Sequence, residues 1–193
     1  AGGVDKFYTS HGSEYRNPHA PVLKRVFRSL LARWSTQISF HRTLDLACGS
    51  GEVTESMKEW FNAQGIPVVA GCFDTNSPSL QSTQVYIEGS DPFTYEAYEA
   101  NMNVPAARYS FEDIENGELE GRQFDSIVSS YAMHLIDPSR LYTTCQQLAF
   151  VSTNLIVISP MKKPDIQSSM GWVLKDTFTE SKVHLRLYKS IYA

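Results

Sequence analysis

The sequence is poor in cysteine and carries no excess of basic charge. Its three cysteines, Cys48, Cys72 and Cys145, form no C-x-x-C pair and no metal-ligand spacing. That argues against a disulfide framework and a cysteine-bound metal, and no metal site is expected. A reduced setting with free thiols fits better. Lys and Arg number 17 against 21 Asp and Glu, a net charge of −4. This makes a nucleic-acid partner unlikely, because phosphate binding shows as a basic surface. No run approaches the roughly 18 apolar residues that span a bilayer, so no membrane partner is expected. No signal-peptide pattern is visible, and the reading is cytoplasmic. No repeat, low-complexity tract or Pro/Gly-rich linker divides the chain. What remains is one domain over residues 1–193, with 42% apolar and 20% charged residues, ordinary for a globular fold.

The most informative stretch is Leu44-Asp45-Leu46-Ala47-Cys48-Gly49-Ser50-Gly51-Glu52-Val53-Thr54. A short apolar run holds an acid, then two glycines one residue apart, and a helical pattern follows. Such glycines let the backbone turn sharply and let a ligand approach it closely. The turn brings backbone N–H groups and a positive helix end to that ligand. The third glycine of the dinucleotide fingerprint G-x-G-x-x-G would fall at position 54, which is Thr54.

Along the chain, apolar positions from Val22 to Trp34 recur at helical spacing and predict an amphipathic helix over 20–37. Residues 1–40 thus form an N-terminal cap segment and a helix. Thr43 to Cys48 reads as a first strand and Glu52 to Ala63 as a helix. Val68 to Phe73 is a continuous apolar run, expected to be a parallel strand covered on both faces and ending in Asp74. Pro78 to Tyr86 is expected as a helix, residues 86–104 as an insertion, and Arg108 to Phe111 as a short third strand. Asp125 to Ser130, the helix Pro138 to Phe150, and Leu155 to Ile158 continue the alternation. Gly171 to Phe178 and Val183 to Tyr192 alternate like a terminal antiparallel hairpin. The expected class is α/β: a Rossmann-like, doubly wound, mostly parallel sheet closed by an antiparallel hairpin strand.

The string Leu-Asp-Leu-Ala-Cys-Gly-Ser-Gly resembles motif I of the class I S-adenosylmethionine-dependent methyltransferases, and the element order resembles their fold over nearly the whole chain. Residues 131–190 also look like a group of largely uncharacterised fungal methyltransferase-like proteins. The family resemblance implies S-adenosyl-L-methionine (SAM) as cofactor and S-adenosyl-L-homocysteine (SAH) as product. It implies that Asp45 holds the methionine ammonium and that Ala47, Gly49 and Gly51 form the loop against the methionine portion. Asp74, 23 residues after Gly51 with Thr75 beside it, would bind the ribose hydroxyls. Asp113 with the Ile114 N–H would hold the adenine, Glu112 being the competing choice, and Phe111 or Phe73 would pack on the ring. Ser129 and Tyr131 would line the groove, and Tyr15 or Arg16 would hold the methionine carboxylate.

Methyl transfer is an in-line displacement, so the protein mainly supplies alignment and desolvation. A base is needed only where the acceptor must lose a proton. His134 is the candidate base, and a structural histidine bonded to a loop carbonyl is the alternative. Tyr8, His19, Tyr131 and Lys162 are the candidate acceptor contacts. Trp172 reads as core rather than pocket wall. Compact size and acidic charge favour a small-molecule acceptor. Two alternatives stand beside it: a protein or RNA methyltransferase needing a partner subunit, and a non-catalytic SAM-binding protein. A nicotinamide oxidoreductase fits worse, given Thr54 and the terminal hairpin.

Overall fold

The computed structural model describes residues 15–74, 77 and 79–193. In chain order it runs α1 (Ala20–Trp34), β1 (Arg42–Leu46), α2 (Glu52–Asn62), β2 (Val68–Ala70), β3 (Val85–Ser90), α3 (Tyr95–Met102), α4 (Phe111–Glu115) and β4 (Phe124–Ser130). It continues with α5 (Pro138–Val151), β5 (Ser152–Ser159), β6 (Trp172–Glu180) and β7 (Val183–Ser190). The strands form one sheet in the order β2-β3-β1-β4-β5-β7-β6. The first five strands in this order run parallel, and β7 enters antiparallel between β5 and β6.

Helix α1 buries Leu23, Val26, Phe27, Leu30, Leu31 and Trp34 completely. Each such side chain stabilises by about 1.5–3 kcal/mol relative to exposure, which fixes α1 to the sheet. It packs with α2 over Val85, Ile87, Val128 and Ile156 on one face. Helix α5 covers the other face, burying Cys145, Leu148 and Ala149 with Leu44, Ile127 and Leu155. Both faces are therefore covered, as a parallel sheet requires. Asp137 caps α5 through the Ser139 N–H at 2.9 Å, with Pro138 opening the helix. The β6–β7 hairpin turns on Ser181 and Lys182, both left-handed (φ 51° and 63°), which matches the strand twist.

The middle of the chain departs from the sequence expectations. The run Val68 to Phe73 forms a strand only over Val68–Ala70, and that strand lies at the sheet edge, half-exposed. The helix expected over Pro78 to Tyr86 is absent from the described residues; Val85–Ser90 is instead the fully buried strand β3, paired to β1. Residues 86–104 are thus no insertion: they are a central strand and its following helix α3. The expected third strand, Arg108 to Phe111, shrinks to one parallel bridge between Ser90 and Ala107, and Phe111 already opens α4. The cause lies in β3 itself. It carries Glu88 and Gly89 in mid-strand, residue types depleted from strands.

Both anomalies are compensated. Glu88 is 3% exposed and takes the Arg122 guanidinium at 2.6 Å, while Arg122 also donates to the Phe73 carbonyl at 2.9 Å. Gly89 lies flat under the Tyr98 ring: an added Cβ would meet ring carbons at 2.3–2.8 Å. The missing side chain lets α3 pack directly on the strand.

Candidate functional site

Parallel strands β3, β1, β4 and β5 bring their carboxyl ends to one sheet edge, where ligand sites of open α/β sheets form. Register pairs Leu46 with Ser90 and with Ser129, so the loops after these three strands leave side by side. The β1–α2 loop turns through three left-handed residues, Ala47 (φ 58°), Gly49 (φ 57°) and Gly51 (φ 97°). The Thr94 hydroxyl donates to the Gly49 carbonyl (3.2 Å) and the Asn101 amide to the Ser50 carbonyl (3.0 Å). Helix α3 and its approach therefore hold the loop in place. The Tyr15 ring lies on the other side, 3.2 Å from where a Cβ of residue 49 would stand.

Asp91 follows β3 immediately, level with the end of β1. It is 8% exposed and accepts from the N–H groups of Phe93 (2.8 Å) and Thr94 (2.9 Å), and from Gly49 N–H at 3.4 Å. Asp91 thus occupies the strand-end position expected for Asp74. Asp74 is exposed, beyond the edge strand β2, and β3 separates that strand from β1. The sequence signal for Asp91 is Val-Tyr-Ile-Glu-Gly-Ser-Asp followed by the helical Tyr95–Met102. The glutamate and glycine mask it.

Asp45 is wholly buried beneath the loop. Its Oδ2 accepts from the Thr54 hydroxyl at 2.8 Å, and that hydroxyl contacts the Tyr98 hydroxyl at 3.1 Å. Its Oδ1 has no partner. Burial pushes the Asp45 carboxyl up to about 8, and the nearby Glu52 and Asp91 carboxylates push the same way. Glu52, 7% exposed in the first turn of α2, accepts from the Ser50 hydroxyl. Three buried carboxylates thus surround the glycine loop, and none forms a salt bridge with a described residue. A cationic ligand suits such a cradle, and the orphaned Oδ1 lacks the donor that an ammonium would bring.

Asp113 and Ile114, expected at the adenine, lie in the first turn of α4. Asp113 forms a capping box there: its Oδ2 accepts from Ser110 N–H at 2.8 Å, and its own N–H donates to Ser110 Oγ at 3.1 Å. The Ile114 N–H donates within the helix to the Ser110 carbonyl, and its side chain is core. The helix begins where the sequence suggested a strand end, which consumes these groups. Glu112 is exposed and meets Arg140 at 3.3 Å.

At the end of β4, the penultimate residue Ser129 has a buried, unpartnered Oγ, and Ser130 closes the strand. Tyr131 follows in left-handed backbone (φ 56°), uncommon and strained for a bulky residue. His19 stacks on its ring, centroids 5.1 Å apart. His134 lies in the 3-10 turn Met133–Leu135, its Nδ1 buried and unpartnered; desolvation holds its pKa below the ordinary histidine value. The loop-carbonyl bond of the structural alternative is not formed at Nδ1. Arg16 and Lys162 are exposed, and the Lys162 carbonyl accepts from the buried Arg186 at 3.3 Å. Trp172 is core, its indole N–H on the Cys145 carbonyl at 2.8 Å. Tyr8 and Thr75 lie outside the described residues.

A groove of about 330 Å³ between α1 and α2 is lined by Lys24, Arg28, Glu59 and Trp60 and includes none of these site residues. It lies away from the carboxyl ends of the parallel strands, so the loop site is the better candidate. Among the described residues no cluster of His, Cys, Asp and Glu could hold a metal, and no helix is long and apolar enough to cross a membrane.

No family model matches the sequence. An uncharacterised protein of Schizosaccharomyces pombe, C17A5.05c, is 30% identical over 223 aligned positions, covering 98% of this chain and 90% of the yeast protein. Among solved structures, the magnesium protoporphyrin IX methyltransferase ChlM of Synechocystis with bound SAH superposes with a TM-score of 0.57 at 12% identity, over 97% of this chain and 94% of that one. The CcbJ methyltransferase of Streptomyces caelestis gives a TM-score of 0.58 at 9% identity, over 94% and 95%.

Proposed function

We propose a function for a chain that belongs to the family of the fission-yeast protein C17A5.05c and has the class I SAM-dependent methyltransferase fold: it transfers a methyl group from SAM to a small-molecule acceptor. The observation that carries this reading is Asp91, a buried carboxylate at the end of the strand beside β1, turned to the glycine loop. A carboxylate there accepts from both hydroxyls of a ribose. Asp45 would take the methionine ammonium on its unpartnered Oδ1, and Gly49 would admit the methionine portion beneath Tyr15. With Asp113 and Ile114 engaged elsewhere, the stretch 107–110, leaving the sheet beside Ser90, is the adenine wall.

SAM supplies a methyl group on a sulfonium, which an acceptor lone pair displaces in line while the S–CH₃ electrons return to sulfur. His134, whose burial favours the neutral imidazole and whose Nδ1 has no hydrogen-bond partner, would receive the acceptor proton. Tyr131 and the stacked His19 would wall the acceptor and exclude water. ChlM and CcbJ are named as methyltransferases, and the porphyrin named for ChlM is a small molecule. The net charge of −4 argues against a nucleic-acid acceptor.

Calorimetric titration with SAM, SAH and NAD tests the reading. Micromolar binding of the adenosyl ligands alone, weakened at least tenfold by Asp91→Ala, is the expected result. NAD binding, or no adenosyl binding, refutes it.

A further inference from the structure

We propose that the free site stores one proton on Asp45 and releases it to solvent when a primary ammonium enters, so that binding of an amino-acid-bearing nucleoside is proton-coupled. The inference rests on the cofactor reading above and adds to it a charge exchange.

The geometry leaves Asp45 little alternative. One carboxyl oxygen accepts from the Thr54 hydroxyl, the Thr54 backbone N–H also favours the charged form, and the other oxygen has no hydrogen-bond partner. Every described group facing it is neutral or acidic. From α2 come Thr54 and the Glu52 carboxylate, from α3 the Tyr98 phenol, from the loops the Cys48 thiol and the Asp91 carboxylate. Its neighbours in register are Gly89 on β3 and Val128 on β4, neither of which offers charge. Burial drives both the Cys48 and Tyr98 pKa values upward, so neither is an anion near neutral pH. No lysine or arginine pairs with Asp45, Glu52 or Asp91 among the described residues. An ionised Asp45 would therefore be wholly buried and face two other carboxylates with Thr54 alone to donate to it among the described residues, and the acid form is preferred. An arriving ammonium supplies the missing charge and the missing donor. The exchange balances: the carboxylic acid and the ammonium give an ion pair plus one proton to bulk water.

Two consequences separate this from simple ion pairing. Below the pH at which Asp45 ionises in the free protein, affinity rises about tenfold per pH unit. The heat of binding also depends on the buffer that takes the proton. SAH titrated into the full chain at four pH values between about 6 and 7.5, in phosphate and in Tris, reads both. The expected result is close to one proton released and a dissociation constant falling about tenfold per unit. 5′-Methylthioadenosine has the same nucleoside but no amino acid, and it should bind with equal heats in both buffers and no pH trend. Asp45→Asn, neutral and isosteric, should abolish the proton release of SAH. SAH binding with buffer-independent heats overturns the proposal while leaving the cofactor reading intact. So does proton release that 5′-methylthioadenosine shares, or that survives in Asp45→Asn. If neither adenosyl ligand binds, the cofactor reading fails and this proposal with it.

Discussion

Replacing Asp45 with asparagine should make the ligand-free protein more stable as pH rises, a reversal of the usual cost of altering a buried polar residue. In the folded chain Asp45 is fully buried and titrates at about 8, against the ordinary carboxylate value when unfolded. The sign follows from proton counting. Between those two values the folded state holds a proton that the unfolded state has lost. Stability contributed by that proton is complete below the unfolded value and is lost as pH climbs through about 8. The slope for one such group is about −1.4 kcal/mol per pH unit. From about pH 5 to pH 7.5 the wild type therefore loses roughly 3 kcal/mol through this residue alone. Asparagine does not titrate, and its carbonyl can still accept from Thr54. Other titrating groups contribute equally to both proteins and cancel in the difference. Urea unfolding followed by circular dichroism at several pH values reads the effect: the gap in midpoint should widen in favour of Asp45→Asn by about 1–2 M. Parallel stability curves would refute the reasoning. A gap that widens in the opposite direction would mean that Asp45 is ionised in the free protein.

The remaining predictions test the elements that hold the site. Asp91→Ala should weaken SAH at least tenfold, about 1.4 kcal/mol, while Asp74→Ala, on an exposed segment past the edge strand, should leave calorimetric affinity unchanged; an equal loss in both would return the ribose role to Asp74. Gly89→Ala drives a methyl group into the Tyr98 ring and should cost about 1–3 kcal/mol by overpacking. A Tyr98→Ala background should remove most of that increment in a double-mutant cycle, and strict additivity would refute the contact. Glu88→Ala strands the Arg122 guanidinium and should cost about 3 kcal/mol. The double variant Glu88→Leu with Arg122→Met should recover most of it in urea titrations, and no recovery would mean the pair has no special role.

Much of the architecture was legible because local signals agreed with the global fold. Residues 42–62 showed it most clearly: apolar run, acid, glycine turn, then amphipathic helix. Helix α1, β4, α5, β5 and the hairpin announced themselves by period, and their ends shifted by only a few residues. The middle of the chain misled for a physical reason. Val68 to Phe73 looks like a core strand ending in an acid, yet only three residues pair and they lie at the edge. Val85–Ser90 looks unlike a core strand, yet every residue in it is buried. Strand propensity is largely a statement about packing on neighbours, and the neighbours that rescue this segment, Tyr98 and Arg122, come from outside it. No local pattern contains that information. The displacement carries over to the site, because the strand paired to β1 ends in Asp91, whereas the sequence pattern places a strand end at Asp74. The strand end expected near Phe111 is a helix start instead: Asp113 sits three residues after Ser110, a capping-box signature that is readable in the sequence.

The two oddities of β3 also explain how its terminal acid is held. Glu88 and Gly89 point to opposite faces of the sheet, because side chains alternate along a strand. On one face the Glu88–Arg122 pair ties the strand to Phe73 and, through the Tyr109 hydroxyl at 3.3 Å, to the segment that leaves beside Ser90. On the other face the bare Gly89 lets Tyr98 reach Thr54, and through Thr54 the Asp45 carboxyl. Asp91 follows directly and caps the approach to the helix that carries Tyr98. A valine at 88 and an alanine at 89 would make a better isolated strand. They would also cut the link from β3 to the 107–110 segment and push α3 away from the loop that it fixes. The strand gives up intrinsic propensity at two positions, and in return its two flanks, the glycine loop and the terminal carboxylate form one rigid unit. Departures from local rules are expected where a site must be built, and here both departures adjoin the residue on which the cofactor reading depends.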